Sequence, residues 1–87
     1  MTTDTAMDTA AIGGAIRQYL QERFPMLGTV DNETPLLGSA AIDSLGFLEI
    51  VTFLEERFGA VLDDDDFDAD NLKTPATLIA LVQRKLS

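Results

Sequence analysis

Ile42-Asp43-Ser44-Leu45-Gly46-Phe47-Leu48-Glu49-Ile50-Val51-Thr52-Phe53-Leu54-Glu55-Glu56-Arg57-Phe58-Gly59 is the stretch from which the rest of the chain is read. Taking Leu54 as origin and advancing about 100° per residue, Phe47, Ile50, Val51 and Phe58 fall within roughly 60° of it, the stripe of a helix packed on a core. Leu45, Leu48 and Thr52 fall about 120° to 180° away, in the company of Glu49 and Glu56. Both ends carry matching signals. Asp43 or Ser44 offers a short side-chain oxygen to the unpaired amides of the first turn, and Gly59 is free to take the left-handed conformation that stops a helix. Two leucines therefore face water beside a serine, rimmed by carboxylates. That arrangement suits a docking surface, although scattered surface leucines are also ordinary.

Working outward toward the N-terminus, Pro25 to Ile42 has no sustained periodicity and contains Gly28, Pro35 and Gly38. Eighteen residues is long for a connection in a chain of this size, since loops beyond about 12–15 residues usually serve a function. Leu27, Val30, Leu36, Leu37 and Ile42 are expected to pin it across the core. Before it, Ile12, Ile16, Tyr19 and Leu20 form a helical stripe opening at Asp8 or Thr9. Gly13 and Gly14 weaken that helix by about 1 kcal/mol each, so tertiary packing must hold it. Pro25 ends it near Arg23. Met1 to Met7 lacks periodicity and is expected to be a flexible tail, leaving 8–87 as one domain.

Beyond Gly59, Val61 and Leu62 lead into the acidic segment Asp63 to Leu72, read as a short helix with Phe67 turned inward and carboxylates at its positive end. Thr74 then caps a last helix with Pro75 in its first position. Leu78, Ile79, Val82 and Leu86 are its expected buried stripe, with Arg84 and Lys85 near its negative end. The whole reads as all-α: a small four-helix bundle, three main helices plus a short third one, with a long loop between helices 1 and 2.

Composition narrows the function. Fifteen acidic against six basic residues give a net charge of −9, which argues against nucleic acid as partner. Twelve carboxylates and a single basic residue, Arg57, lie between Phe24 and Leu72, a surface suited to steering partners with basic patches. The apolar stretches are too short to span a membrane, and Met1 to Asp8 lacks the features of a signal peptide, so a cytoplasmic protein is expected. With no cysteine, disulfides and thiolate metal sites are ruled out.

Ser44 admits several roles: nucleophile, phosphorylation site, plain N-cap or cofactor anchor. No histidine is present for a Ser-His-Asp triad, and Ile42 stands where a nucleophile elbow needs glycine. A catalytic role is therefore disfavoured. Asp64, Asp66 and Asp68, or Asp66, Asp68 and Asp70, imitate the opening of a calcium loop, but the turn glycine and the closing glutamate are missing in both registers. No metal site is expected.

The segment Ile42-Asp43-Ser44-Leu45, with Phe47-Leu48-Glu49-Ile50-Val51 and Leu54-Glu55-Glu56-Arg57-Phe58-Gly59, resembles the Asp-Ser-Leu signature of acyl carrier proteins. The likeness runs from about Ile12 to Leu86. It implies that Ser44 is esterified by 4'-phosphopantetheine taken from coenzyme A, and that Asp43 helps the modifying enzyme and its metal engage that serine. It further implies a monomeric carrier of acyl or aminoacyl thioesters that is a substrate of enzymes rather than one itself. The implied partners are a phosphopantetheinyl transferase, an acyl-loading ligase or acyltransferase, and a ketosynthase or other acyl-processing enzyme. The family's docking positions match Leu45, Leu48, Glu49, Thr52, Glu55 and Glu56, nearly the outward face derived from periodicity. Gly46, Phe47, Thr52 and Ala40-Ala41-Ile42 depart from the commonest fatty-acid pattern, and a large, core-facing Phe47 is expected to narrow any cavity under the serine. An unmodified acidic interaction module, cation-responsive through its aspartate run, is the competing expectation, with Ser44 a cap only.

Overall fold

A computed structural model of the protein describes residues 9–86. Within them the chain forms three α-helices and no strand: α1 (Thr9–Arg23), α2 (Ser44–Phe58) and α3 (Pro75–Leu86). The expected tail at 1–7, and Asp8 as an alternative helix start, lie outside the described residues.

α1 turns Ile12, Gly13, Ile16 and Leu20 into the core. Gly13 supports the close approach of α1 to α3. A Cβ there would stand 3.1 Å from Ile79 Cδ1, so the residue that weakens the isolated helix is the one that lets the two helices meet. α3 contributes Leu78, Ile79, Leu81 and Val82, and α2 contributes Ile50, Val51, Leu54 and Phe58. Each fully buried branched side chain among these stabilises the fold by about 1.5–3 kcal/mol relative to its exposed state. Two side chains depart from the expected α3 stripe. Leu81 is fully buried, whereas Leu86, in the last turn, is 36% exposed.

The eighteen residues from Pro25 open with a 3₁₀ turn, Pro25–Leu27, and then cross the bundle without further regular structure. Polar bonds stitch them down at both sides. The Val30 amide donates to Gln21 Oε1 at 2.8 Å, the Leu36 amide to the Lys73 carbonyl at 2.7 Å, and the Ala76 amide to the Asn32 carbonyl at 3.0 Å. Val30, Leu36 and Ile42 are buried and Leu27 is partly so, as expected. Leu37 is not: beside the positive-φ Gly38 the chain turns away from the core after Leu36, and Leu37 stays exposed.

The acidic run does not form the expected short third helix. It makes two 3₁₀ turns, Asp64–Asp66 and Ala69–Asn71. Side chains here take the backbone partners that a continuous helix would need. Asp66 Oδ2 accepts from the Asp63 amide at 3.0 Å, and Asn71 Nδ2 donates to the Asp66 carbonyl at 3.1 Å. With the turn closed that way Phe67 points outward, 43% exposed, instead of inward. Val61 is likewise exposed, and Leu62 and Leu72 are the apolar residues that anchor this segment. α3 then begins as expected: the Thr77 amide donates to Thr74 Oγ1 at 3.3 Å, the Thr74 amide donates to Thr77 Oγ1 at 3.1 Å, and Pro75 follows the cap.

Candidate functional site

The first turn of α2 is built by its cap. Asp43 has extended backbone (φ −98°, ψ −174°), and its Oδ1 accepts from the Gly46 amide at 2.8 Å while its carbonyl receives the Phe47 amide at 3.0 Å. The approach is fixed too, by the Ile42 amide donating to the Ser39 carbonyl at 3.3 Å and the Ala41 amide to Ser39 Oγ at 3.1 Å. Ser44 is thereby left as the first helical residue, exposed to solvent. Among the described residues no group hydrogen-bonds its hydroxyl. The cap is Asp43, so Ser44 is not needed to close the helix. At the far end Gly59 adopts the left-handed conformation (φ 71°) and its amide donates to the Glu55 carbonyl at 2.9 Å.

Gly46 explains the local packing. A Cβ there would meet Ile42 Cγ2 at 3.0 Å and Phe24 Cε1 at 3.1 Å, so the bare backbone lets the Phe24 ring lie against the first turn. The serine sits between two concavities. One, of about 360 Å³, is lined by Arg23, Phe24, Asp43, Leu45, Gly46 and Glu49 together with Met26 and the Ala40-Ala41 approach. The other, of about 230 Å³, is a shallow apolar groove formed by Ser44, Phe47, Leu48, Val51, Phe67 and Leu72. Phe47 packs against the core with part of its side chain and lines this groove with the rest; it is half-buried rather than fully core-facing.

The outward residues of α2 come together as one surface. Leu45 and Leu48 are 65% and 53% exposed, Thr52 and Glu56 are exposed, and Glu49 and Glu55 are half-buried. Thr52 donates its hydroxyl to the Leu48 carbonyl at 2.9 Å. All but Glu55 line a groove of about 440 Å³ completed by Tyr19 and Phe53, whose rings stack at 4.0 Å. Burial, reinforced by the Glu49 carboxylate and partly offset by Arg23, raises the Tyr19 phenol above its ordinary value. Periodicity of α2 alone could not reveal Tyr19 or Arg23 as neighbours of this face, because both come from α1. Glu49 is ion-paired with Arg23.

The aspartate run is a structural clamp. Lys85 Nζ reaches Asp66 Oδ2 at 2.8 Å and Asp63 at 4.0 Å, which ties the connection to the end of α3. The Lys85 bond, then the Asp63 amide, hold the Asp66 carboxyl below the ordinary aspartate value, and Lys85 is raised in return. Among the described residues no three acidic, histidine or cysteine side chains converge on a metal-sized site, and no helix is long and apolar enough to cross a membrane.

A phosphodiester fits the geometry at Ser44. The hydroxyl is exposed and unengaged, the first-turn amides of any helix favour an anion, and the flanking groove offers apolar surface to an extended arm. A family model described as "Phosphopantetheine attachment site" matches residues 14–82, four-fifths of the chain. No curated protein and no solved structure gave a match.

Proposed function

We propose, from the premise that this chain belongs to the phosphopantetheine attachment-site family, that it is an acyl carrier protein modified at Ser44. The family consists of carrier domains whose 4'-phosphopantetheine is covalently attached. What supports Ser44 as the anchor is one observation: it is exposed at the first turn of α2 while Asp43, not Ser44, provides the cap. A phosphopantetheinyl transferase with magnesium would break the pyrophosphate bond of coenzyme A. Ser44 Oγ would bond to the pantetheine-side phosphorus, its proton would pass to the transferase, and adenosine 3',5'-bisphosphate would leave. Ser44 would hold the group, Asp43 would keep the first turn in place, and the group would supply the thiol that a chain without cysteine lacks, to carry acyl or aminoacyl cargo as a thioester.

The protein's own task is presentation. Leu45, Leu48, Glu49, Thr52, Glu55 and Glu56 would form the face on which the transferase, an acyl-loading ligase or acyltransferase, and a ketosynthase or other processing enzyme dock in turn. A flexible tether holds cargo near each active site at an effective concentration on the order of millimolar, so docking need not be tight. The pathway is of polyketide, fatty-acid or related secondary-metabolism type, with a discrete secondary-metabolism carrier favoured by the Gly46, Phe47 and Thr52 departures.

Intact mass before and after incubation with coenzyme A, magnesium and a broad-specificity transferase tests this reading. One phosphopantetheine adduct is expected on the native chain and none on Ser44→Ala. A folded native chain that several transferases leave unchanged would refute it and favour an acidic interaction module acting through Leu45 and Leu48.

A further inference from the structure

Glu49 differs from its acidic neighbours on α2 in being already paired. The Arg23 guanidinium, at the end of α1, bridges to its carboxylate with the two side chains 49% and 41% exposed. Among the described residues no cation lies within ion-pair distance of Glu55 or Glu56. Arg23 is held in place by more than Coulomb attraction, because its guanidinium lies 5.1 Å from the centroid of the Phe24 ring, and that ring is wedged against Gly46. It lines the same cleft as Asp43, Leu45 and Glu49. Arg23 thus occupies the place beside Glu49 that a partner's basic side chain would take.

We infer that Arg23 is an internal competitor for that position, a specificity-determining residue that weakens docking by any partner relying on a cation at Glu49. A partner lysine or arginine aimed there must displace Arg23 or suffer its like charge, whereas one aimed at Glu56 meets no such rival. The inference deepens the reading of α2 as the docking face and rests on it.

Transferase-catalysed modification of Ser44, followed by intact mass at low ionic strength, gives the test. The variants are Arg23→Gln, Glu49→Gln, the double variant and Arg17→Gln. Arg17, which donates to Asn32 Oδ1 at 2.6 Å and among the described residues pairs with no carboxylate, supplies the same change in net charge away from the face. Glutamine at 23 keeps much of the stem over Phe24, and circular dichroism checks the fold. Arg23→Gln is expected to lower KM about two- to five-fold below that of Arg17→Gln, the range of an exposed ion pair, with kcat unchanged. The effect should vanish in the Glu49→Gln background and at about 1 M salt, where screening acts over roughly 3 Å. Equal KM values for Arg23→Gln and Arg17→Gln, a higher KM for Arg23→Gln, or an effect that survives Glu49→Gln would overturn the inference. An unmodified native chain would instead overturn the assignment of Ser44, and the inference with it.

Discussion

Alanine at two helical glycines should move stability in opposite directions, and the structure sets the size of each effect. In an exposed helix interior, Gly→Ala gains about 0.5–1 kcal/mol because the unfolded glycine has more freedom to lose. At Gly14, among the described residues, nothing beyond the helix's own backbone and the adjoining residues lies within 4 Å of the new methyl, so the full gain is expected. At Gly46 the methyl would stand 3.0 Å from Ile42 Cγ2, 3.1 Å from Phe24 Cε1 and 3.4 Å from Asp43 Oδ1. Such overpacking costs about 1–3 kcal/mol, which outweighs the gain and leaves a net loss of about 1 kcal/mol. The two variants should therefore differ by roughly 2 kcal/mol, or about 8–15 °C in Tm for a domain of this size. Urea and thermal unfolding followed by circular dichroism measure both. If Gly46→Ala is stabilised as much as Gly14→Ala, Phe24 and Ile42 yield freely, and the wedge at the first turn of α2 does not exist.

Three further outcomes can be checked. Asp43→Ala removes the bond to the Gly46 amide and should cost about 1 kcal/mol, while Ser44→Ala, at an exposed and unengaged position, should stay within about 0.5 kcal/mol in the same unfolding assay. Tyr19 is the single tyrosine in a chain without tryptophan, so its ionisation can be followed by near-ultraviolet absorbance. Glu49→Gln should lower its pKa and Arg23→Gln should raise it further, and no response to either would contradict the cleft geometry. The clamp predicts a two-sided pH dependence. Because Asp66 is depressed in the folded state, its contribution is complete above the ordinary aspartate value and is lost as the pH falls from there through the folded-state value. Because Lys85 is raised, its contribution is complete below the ordinary lysine value and is lost as the pH rises through the folded-state one. Urea midpoints of Asp66→Asn should lack the acid-side loss that the native chain shows.

α2 was legible in the sequence because everything that defines it is local: a 3.6-residue apolar stripe, a short acidic cap and a terminal glycine. The outward position of Leu45 and Leu48 followed from the same periodicity. What failed to read was governed by residues distant in the chain. Phe67 faces outward because Asp66 is held by Lys85, nineteen positions later, and no local pattern announces that bond. Leu37 and Leu86 look like core residues by type, but among the described residues both stay exposed. Gly46 reads as a missing side chain until Phe24 is seen against it. Arg23 carried one faint signal, as the last cation before a long stretch dominated by carboxylates, yet its pairing with Glu49 required the packing of α1 on α2.

The bonds from Leu36 to Lys73 and from Ala76 to Asn32 join the long loop to the start of α3. Neither segment can open without breaking the other's amide bonds, so both should exchange their hydrogens with solvent as one cooperative unit. The loop that delivers the chain to Ser44 is then no hinge. On the proposed reading, the travel between enzymes belongs to the tether, and the protein is the fixed post to which it is tied.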